Sequence, residues 1–285
     1  MKTIVTVFFG VRERTQNEVR RILFAAGQGD AEHPEFPLYH FDFEARAPEL
    51  EALRAVLTEI GVPWSEQIDH LYTDKEIEQA PLVLPILRRA DQGVGGPSEG
   101  TEYDLADACP RCGVGARQLG PLRLKGSEIR SKKGRAFPTA HGEWLFGEDA
   151  ANDLSGFSGL ELRQAVDVVS GHPLAWFQAI AEHELPPMAS GRTGMKGFGC
   201  PRCHRGGYFH KVGEPPLFVY DRAELDVGKV PDVSHTFEHL GWSRVVEPFK
   251  QSWFAQPQLV LKPAVAKAMR EAKVRQLQFY PVTIR

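Results

Sequence analysis

Apolar residues near the start of the chain run together from Ile4 to Phe9, and this β-branched and aromatic block predicts a first strand over 3–9. Behind it the period changes. Val19, Ile22, Leu23 and Ala26 recur at helical spacing, Thr15 and Glu18 form a T-x-x-E capping box at the front, and Gly27 stands where that helix would end. Alternation returns at 37–44, where Leu38, His40 and Asp42 interleave with Tyr39, Phe41 and Phe43. Pro48 suits the first turn of a second helix that buries Leu50, Leu53, Leu57 and Ile60 before Gly61 stops it. Residues 67–72 and 82–87 are further strands, the second expected on a sheet edge because Pro85 has no N–H for the ladder. This alternation of strands and helices predicts a small α/β domain over residues 1–90. No strand is followed by a Gly-rich phosphate loop, so no nucleotide site is expected there.

Residues 91–100 are Gly-rich and short of apolar anchors, which predicts a linker. The remaining residues, 101–285, are expected to form an α+β domain with internal duplication. Cys109-Pro-Arg-Cys112 precedes Pro121-Leu122-Arg123-Leu124, and Cys200-Pro-Arg-Cys203 precedes Pro215-Pro216-Leu217-Phe218-Val219. A second echo relates Trp144-Leu145-Phe146, a polar stretch and Leu160-Glu161-Leu162 to Leu259-Val260-Leu261, a helix and Leu277-Gln278-Phe279. In the later copy Pro263 opens the helix, and Val265, Met269 and Ala272 share a face.

Composition adds bounds. With 42% hydrophobic and 25% charged residues the chain is ordinary globular material, and its formal charge of −3 gives no general attraction to nucleic acid or acidic lipid. No apolar run approaches the roughly 18 residues that cross a bilayer, so no membrane span is expected. Lys2 and the apolar run after it superficially resemble a secretory leader. No small-residue cleavage site follows, and Arg12-Glu13-Arg14 comes at once, so a strand and a cytoplasmic location are expected. In that compartment paired cysteines hold metal more often than they form disulfides.

The chemistry concentrates in the cysteines. All four belong to a C-P-R-C knuckle. Two residues between cysteines let both sulfurs face one ion from a tight turn, and zinc takes four such ligands in a tetrahedron. Cys109, Cys112, Cys200 and Cys203 are therefore expected to hold one structural Zn2+, in a zinc ribbon interrupted by a long insertion. Arg111 and Arg202 lie inside the knuckles, where positive charge would favour thiolates. Two redox dithiols, or two sites completed by His204 or His210, are the other readings of the same residues.

Other motifs point elsewhere. His235-Thr-Phe-Glu238-His239 matches H-x-x-E-H, in which two histidines on a helix hold zinc and the glutamate polarises water. Such a helix would be short, between Pro231 and Gly241, with Glu247 or Glu271 as third ligand; the plainer expectation is a polar turn with Phe237 buried. His141-Gly-Glu143 ahead of the second knuckle is similar to the zinc deaminase signature, although its proline follows Cys200. Arg123, Lys125, Arg130, Lys132, Lys133 and Arg135 form one basic cluster, able to grip phosphates but poor in stacking aromatics. Trp242, Trp253 and Phe254 are candidate anchors for a protein partner, or core residues.

Two CPxC knuckles about ninety residues apart, each followed by an apolar strand, resemble the bacterial double-CXXCG motif family. The segment Leu259-Val-Leu-Lys-Pro-Ala-Val-Ala-Lys-Ala-Met through Leu277-Gln-Phe-Tyr-Pro-Val also looks similar to that family's C-terminal strand–helix–strand. The resemblance covers about 101–285. Cys109-Pro-Arg-Cys112-Gly113 fits the motif in full, whereas the second knuckle has His204 where the motif has glycine. Some members are immunity proteins that neutralise a toxin, so the resemblance implies a zinc-stabilised, non-catalytic protein that binds another protein. Nucleic-acid binding and a zinc hydrolase at His235, Glu238 and His239 are the rival expectations.

Overall fold

The computed structural model describes residues 1–10, 16–27, 38–87, 95–129, 135–139, 141–189, 195–197, 199–210, 216–240, 255–274 and 277–285. Thr15, Arg130, Lys132, Lys133, Trp242, Glu247, Trp253 and Phe254 lie outside them. Contacts divide the chain into two compact units, one of Met1–Thr73 with His210–Pro216, the other of Asp74–Phe209 with Leu217–Arg285.

The first unit contains β1 (Lys2–Gly10), α1 (Gln16–Ala25), β2 (Leu38–Glu44), α2 (Pro48–Glu59) and β3 (Trp64–Leu71). The predicted elements are present, but the sheet is antiparallel with β1 in the centre, in the order β2-β1-β3. The expected α/β alternation is thus corrected to an α+β arrangement. Alternation along a strand sets which face is apolar and leaves direction open; here opposed pairs set it, with Phe9 directly across from Tyr39 and their rings stacked 5.4 Å apart. Val5, Val7 and Phe9 then pack with Val19, Ile22 and Leu23 of α1 and Leu50, Leu53 and Leu57 of α2. Gly61, at φ 66°, ends the second helix as its position predicts.

In the second unit the chain runs through α3 (Asp74–Gln79), β4 (Leu82–Leu87), β5 (Tyr103–Asp104), β6 (Arg117–Gln118), β7 (Arg123–Leu124), α4 (Gly126–Ile129), β8 (Ala136–Pro138), β9 (Trp144–Gly147), α5 (Glu148–Leu154), β10 (Leu160–Asp167) and β11 (Pro173–Ala181). It continues through β12 (Met195–Gly197), β13 (Tyr208–His210), β14 (Phe218–Tyr220), β15 (Val233–Leu240), β16 (Gln256–Leu261), α6 (Pro263–Glu271) and β17 (Leu277–Ile284). One sheet has the order β7-β10-β11-β9-β8 and the other β12-β13-β15-β16-β4-β17-β14, with β5 and β6 forming a separate ribbon.

Strand β4, which sequence pattern groups with the N-terminal domain, lies inside the larger sheet between β16 and β17. Its proline is tolerated there. Pairing to β17 runs through Leu82–Leu87, while pairing to β16 is recorded at Val83↔Leu261, so Pro85 needs a partner on one side only. The described end of the expected linker is also built into this unit. A Cβ on Gly95 would lie 2.5 Å from Leu124, and one on Gly96, at φ 83°, would lie 2.9 Å from His141. These glycines serve close approach of the backbone rather than slack.

The two sheets correspond in order. Reading the larger sheet from β14, the sequence β14-β17-β4-β16-β15 follows the same directions as β7-β10-β11-β9-β8: one parallel pair, then three antiparallel pairs. In each, a helix (α5 or α6) joins two strands that have a third between them. Each helix buries a small apolar stripe, Ala150, Ala151 and Leu154 in one and Val265, Ala266 and Met269 in the other.

Candidate metal centre

The first knuckle occupies the loop between the paired strands β5 and β6, and the second the loop between neighbouring strands β12 and β13. Their main chains turn alike. Gly113 N–H donates to the Cys109 carbonyl at 2.7 Å, and His204 N–H donates to the Cys200 carbonyl at 2.8 Å. Gly113 and His204 both have positive φ, 73° and 57°. Further bonds from Cys109 N–H to the Val114 carbonyl and from Cys200 N–H to the Gly206 carbonyl, each 2.8 Å, close the loops.

These turns bring all four sulfurs within 4.8 Å of one another. Cys112 Sγ lies 3.4 Å from Cys203 Sγ, and Cys109 Sγ 3.8 Å from Cys200 Sγ. Three of the cysteines are buried and Cys203 is half-buried, with Val114 completing an apolar wall. Gly206 carries no side chain for a direct reason: a Cβ there would meet Val114 at 2.9 Å and the Cys112 sulfur at 3.2 Å. The cluster can hold a metal ion, and its donor set is wholly soft thiol.

The thiols are unequal. Burial pushes the Cys112 thiol far up. Burial also acts to raise Cys200, but the backbone N–H groups of Cys203 and Arg202, with the neighbouring thiols, outweigh it and bring that thiol down to about 7. The arginine side chains at 111 and 202 are exposed, so the help expected of their charge at Cys200 comes from main-chain donors. A bound cation would drive all four to thiolate.

Among the described residues the cysteines are the one group of three or more His, Cys, Asp or Glu side chains placed to share an ion. His204 is exposed and stands outside it.

The H-x-x-E-H segment is not a helix or a turn; it lies in β15, paired with β16 through Val233↔Leu261, Ser234↔Val260 and His235↔Leu259. The ladder to β16 shifts register between His235 and His239, and among the described residues these two histidines belong to no cluster placed to share an ion. His235 Nδ1 meets the Thr236 carbonyl and His239 Nδ1 the Ala255 carbonyl, and Phe237, expected to be buried, is half-buried beneath the Arg205 guanidinium. Glu271 pairs with Lys267 on the surface of α6.

His141 and Glu143 are buried, but in a network away from the cysteines. Thr139 donates to Glu143 Oε2, Tyr103 donates to Glu143 Oε1 at 3.4 Å, and His141 N–H donates to Thr139 Oγ1 at 3.1 Å. Burial, reinforced by the Glu143 carboxylate, holds the Tyr103 phenol far above its ordinary value. This network went unseen in the sequence, where the T-x-H-x-E spacing was its only signal. Of the basic cluster, three members are described and all are engaged: Arg123 with the Val168 carbonyl, Lys125 with Glu128, and Arg135 with Asp149. No helix among the described residues is long and apolar enough to cross a membrane. No protein-family model matches this chain, and no curated protein or solved structure matches it either.

Proposed function

We propose that this chain is a zinc-stabilised, non-catalytic protein that acts by binding another protein, and that its cysteine-bearing unit arose by internal duplication. The observation that carries the reading is the closed four-thiol cluster. Four protein sulfurs complete the tetrahedron that zinc prefers, which leaves no position for substrate or activated water. An ion there ties two loops far apart in sequence into one rigid support, and activity falls to the surfaces so positioned.

Three correspondences support the duplication: the strand order, the matched knuckle turns, and a pair of threonines. Thr139 Oγ1 accepts from Glu143 N–H, one residue before Trp144 of β9. Thr236 Oγ1 accepts from Gln258 N–H, one residue before Leu259 of β16. Trp144 and Leu259 are the residues that the sequence echo aligns.

The resemblance to the double-CXXCG family favours an immunity role, in which the partner is a toxin. Affinity capture with the zinc-loaded chain, followed by co-expression with any toxic protein recovered, tests it. A stoichiometric complex and restored growth are expected. Recovery of nucleic acid without a protein partner, with binding that weakens steeply as salt rises, would overturn the reading.

A further inference from the structure

Register assigns faces to the paired side chains at the centre of the larger sheet. Phe279, Val83 and Leu261 share the face toward α6, where Arg270 stacks over the Phe279 ring at 5.1 Å. The opposite face carries Ser234 beside Val260, Leu84 beside Tyr280, and Leu82 beside Val282 and Phe218, with Tyr220 two residues on from Phe218. Glu238 lies in the irregular stretch of β15 between His235 and His239 and is buried, as Ser234 and Thr236 are.

Strands β14 and β15 are not neighbours in this sheet, yet residues 183–189 bridge them. His235 N–H donates to the His183 carbonyl, Leu185 N–H to the His235 carbonyl, and Ala189 N–H to the Val219 carbonyl at 2.8 Å. Met188 N–H, one residue earlier, donates to Glu238 Oε1 at 2.8 Å. Successive amides therefore join the Glu238 carboxylate to β14 beside Tyr220. Glu238 is 6% exposed and Tyr220 0%. Glu238 Oε2 and the Tyr220 hydroxyl have no hydrogen-bond partner among the described residues. Burial raises the Tyr220 phenol, and the Glu238 carboxylate raises it further.

A buried polar atom left without a partner is destabilising, and folded proteins satisfy such atoms with bound water. We infer that Glu238 and Tyr220 form an internal water site at the seam where residues 183–189 close the sheet. The water donates to Glu238 Oε2 and accepts from the Tyr220 hydroxyl, linking β15 to β14 through side chains as the bridging segment does through backbone.

A crystal structure of the full chain at high resolution, with thermal unfolding of Tyr220→Phe and Glu238→Gln, tests the site. One water peak within hydrogen-bond distance of both groups is expected. Tyr220→Phe should lose that peak and melt about 2–4 °C lower, and Glu238→Gln, which keeps an acceptor for Met188 N–H, should still fold. A dry seam, or a Tyr220→Phe variant that melts higher because an unsatisfied hydroxyl has gone, overturns the inference. Density too large for water overturns it as well.

Discussion

The two knuckles make the same turn from different residues. Gly113 and His204 occupy equivalent places, both in the left-handed region and both donating to the carbonyl of the first cysteine. Glycine reaches that conformation freely, whereas histidine adopts it at a steric cost. Two buried glutamates elsewhere in the same unit differ more. The Glu143 carboxylate is met by Tyr103 and Thr139, whereas one oxygen of Glu238 has no hydrogen-bond partner among the described residues. Sulfur placement is thus the feature the two knuckles share, and the surroundings differ around it.

The largest effect should come from breaking either knuckle. A structural zinc contributes on the order of 10 kcal/mol to folding, so Cys109→Ser and Cys200→Ser should both abolish soluble, cooperatively folding protein. Equal loss from the two variants, by soluble yield and melting curve, is the expected outcome; a variant of one knuckle that folds normally would show that the two knuckles are not joined in one site. Gly206→Ala tests the packing between knuckles. With a Cβ only 2.9 Å from Val114 and 3.2 Å from the Cys112 sulfur, it should cost about 1–3 kcal/mol and weaken metal retention in a chelator competition.

Glu238 sharpens the comparison through pH. Burial, the main influence on it, raises its carboxyl above the usual carboxylate range. The native state therefore holds this proton more tightly than the unfolded chain. The associated stability is present in full below the unfolded value and is lost as pH rises through the folded one. Melting temperatures across that window should show Glu238→Gln gaining on the parent as pH rises, whereas a constant difference would mean that Glu238 titrates normally.

The smallest effect belongs to the turn residue. His204→Gly should stabilise the chain by about 1 kcal/mol by removing the left-handed histidine, and Gly113→His should cost a similar amount. Chemical denaturation of both variants checks the sign.

Much of this was legible in sequence where one residue's role is local. The runs at Trp144–Phe146 and Leu259–Leu261, Pro263 at the front of α6 and the C-P-R-C spacing each specify a turn or face from neighbours alone. Pairing direction was not, because alternation is the same for parallel and antiparallel strands. Helix α5 escaped notice because Glu148 and Asp149 mask its short stripe of Ala150, Ala151 and Leu154. Gly95 and Gly96 looked like linker because their reason, contact with Leu124 and His141, is remote in sequence. The histidines of β15 matched a metal motif that assumes a helix, but the segment is a strand paired to β16, the next strand along the chain, and the motif carries no sign of that pairing.

The most direct test of the metal account is an anomalous-scattering map collected at the zinc edge from crystals of the purified chain. One peak centred among Cys109, Cys112, Cys200 and Cys203, about 2.3 Å from each sulfur, and none at His235 or His239, is the predicted result. Folded protein with no peak at the cysteines, or a second peak at the β15 histidines, would contradict it.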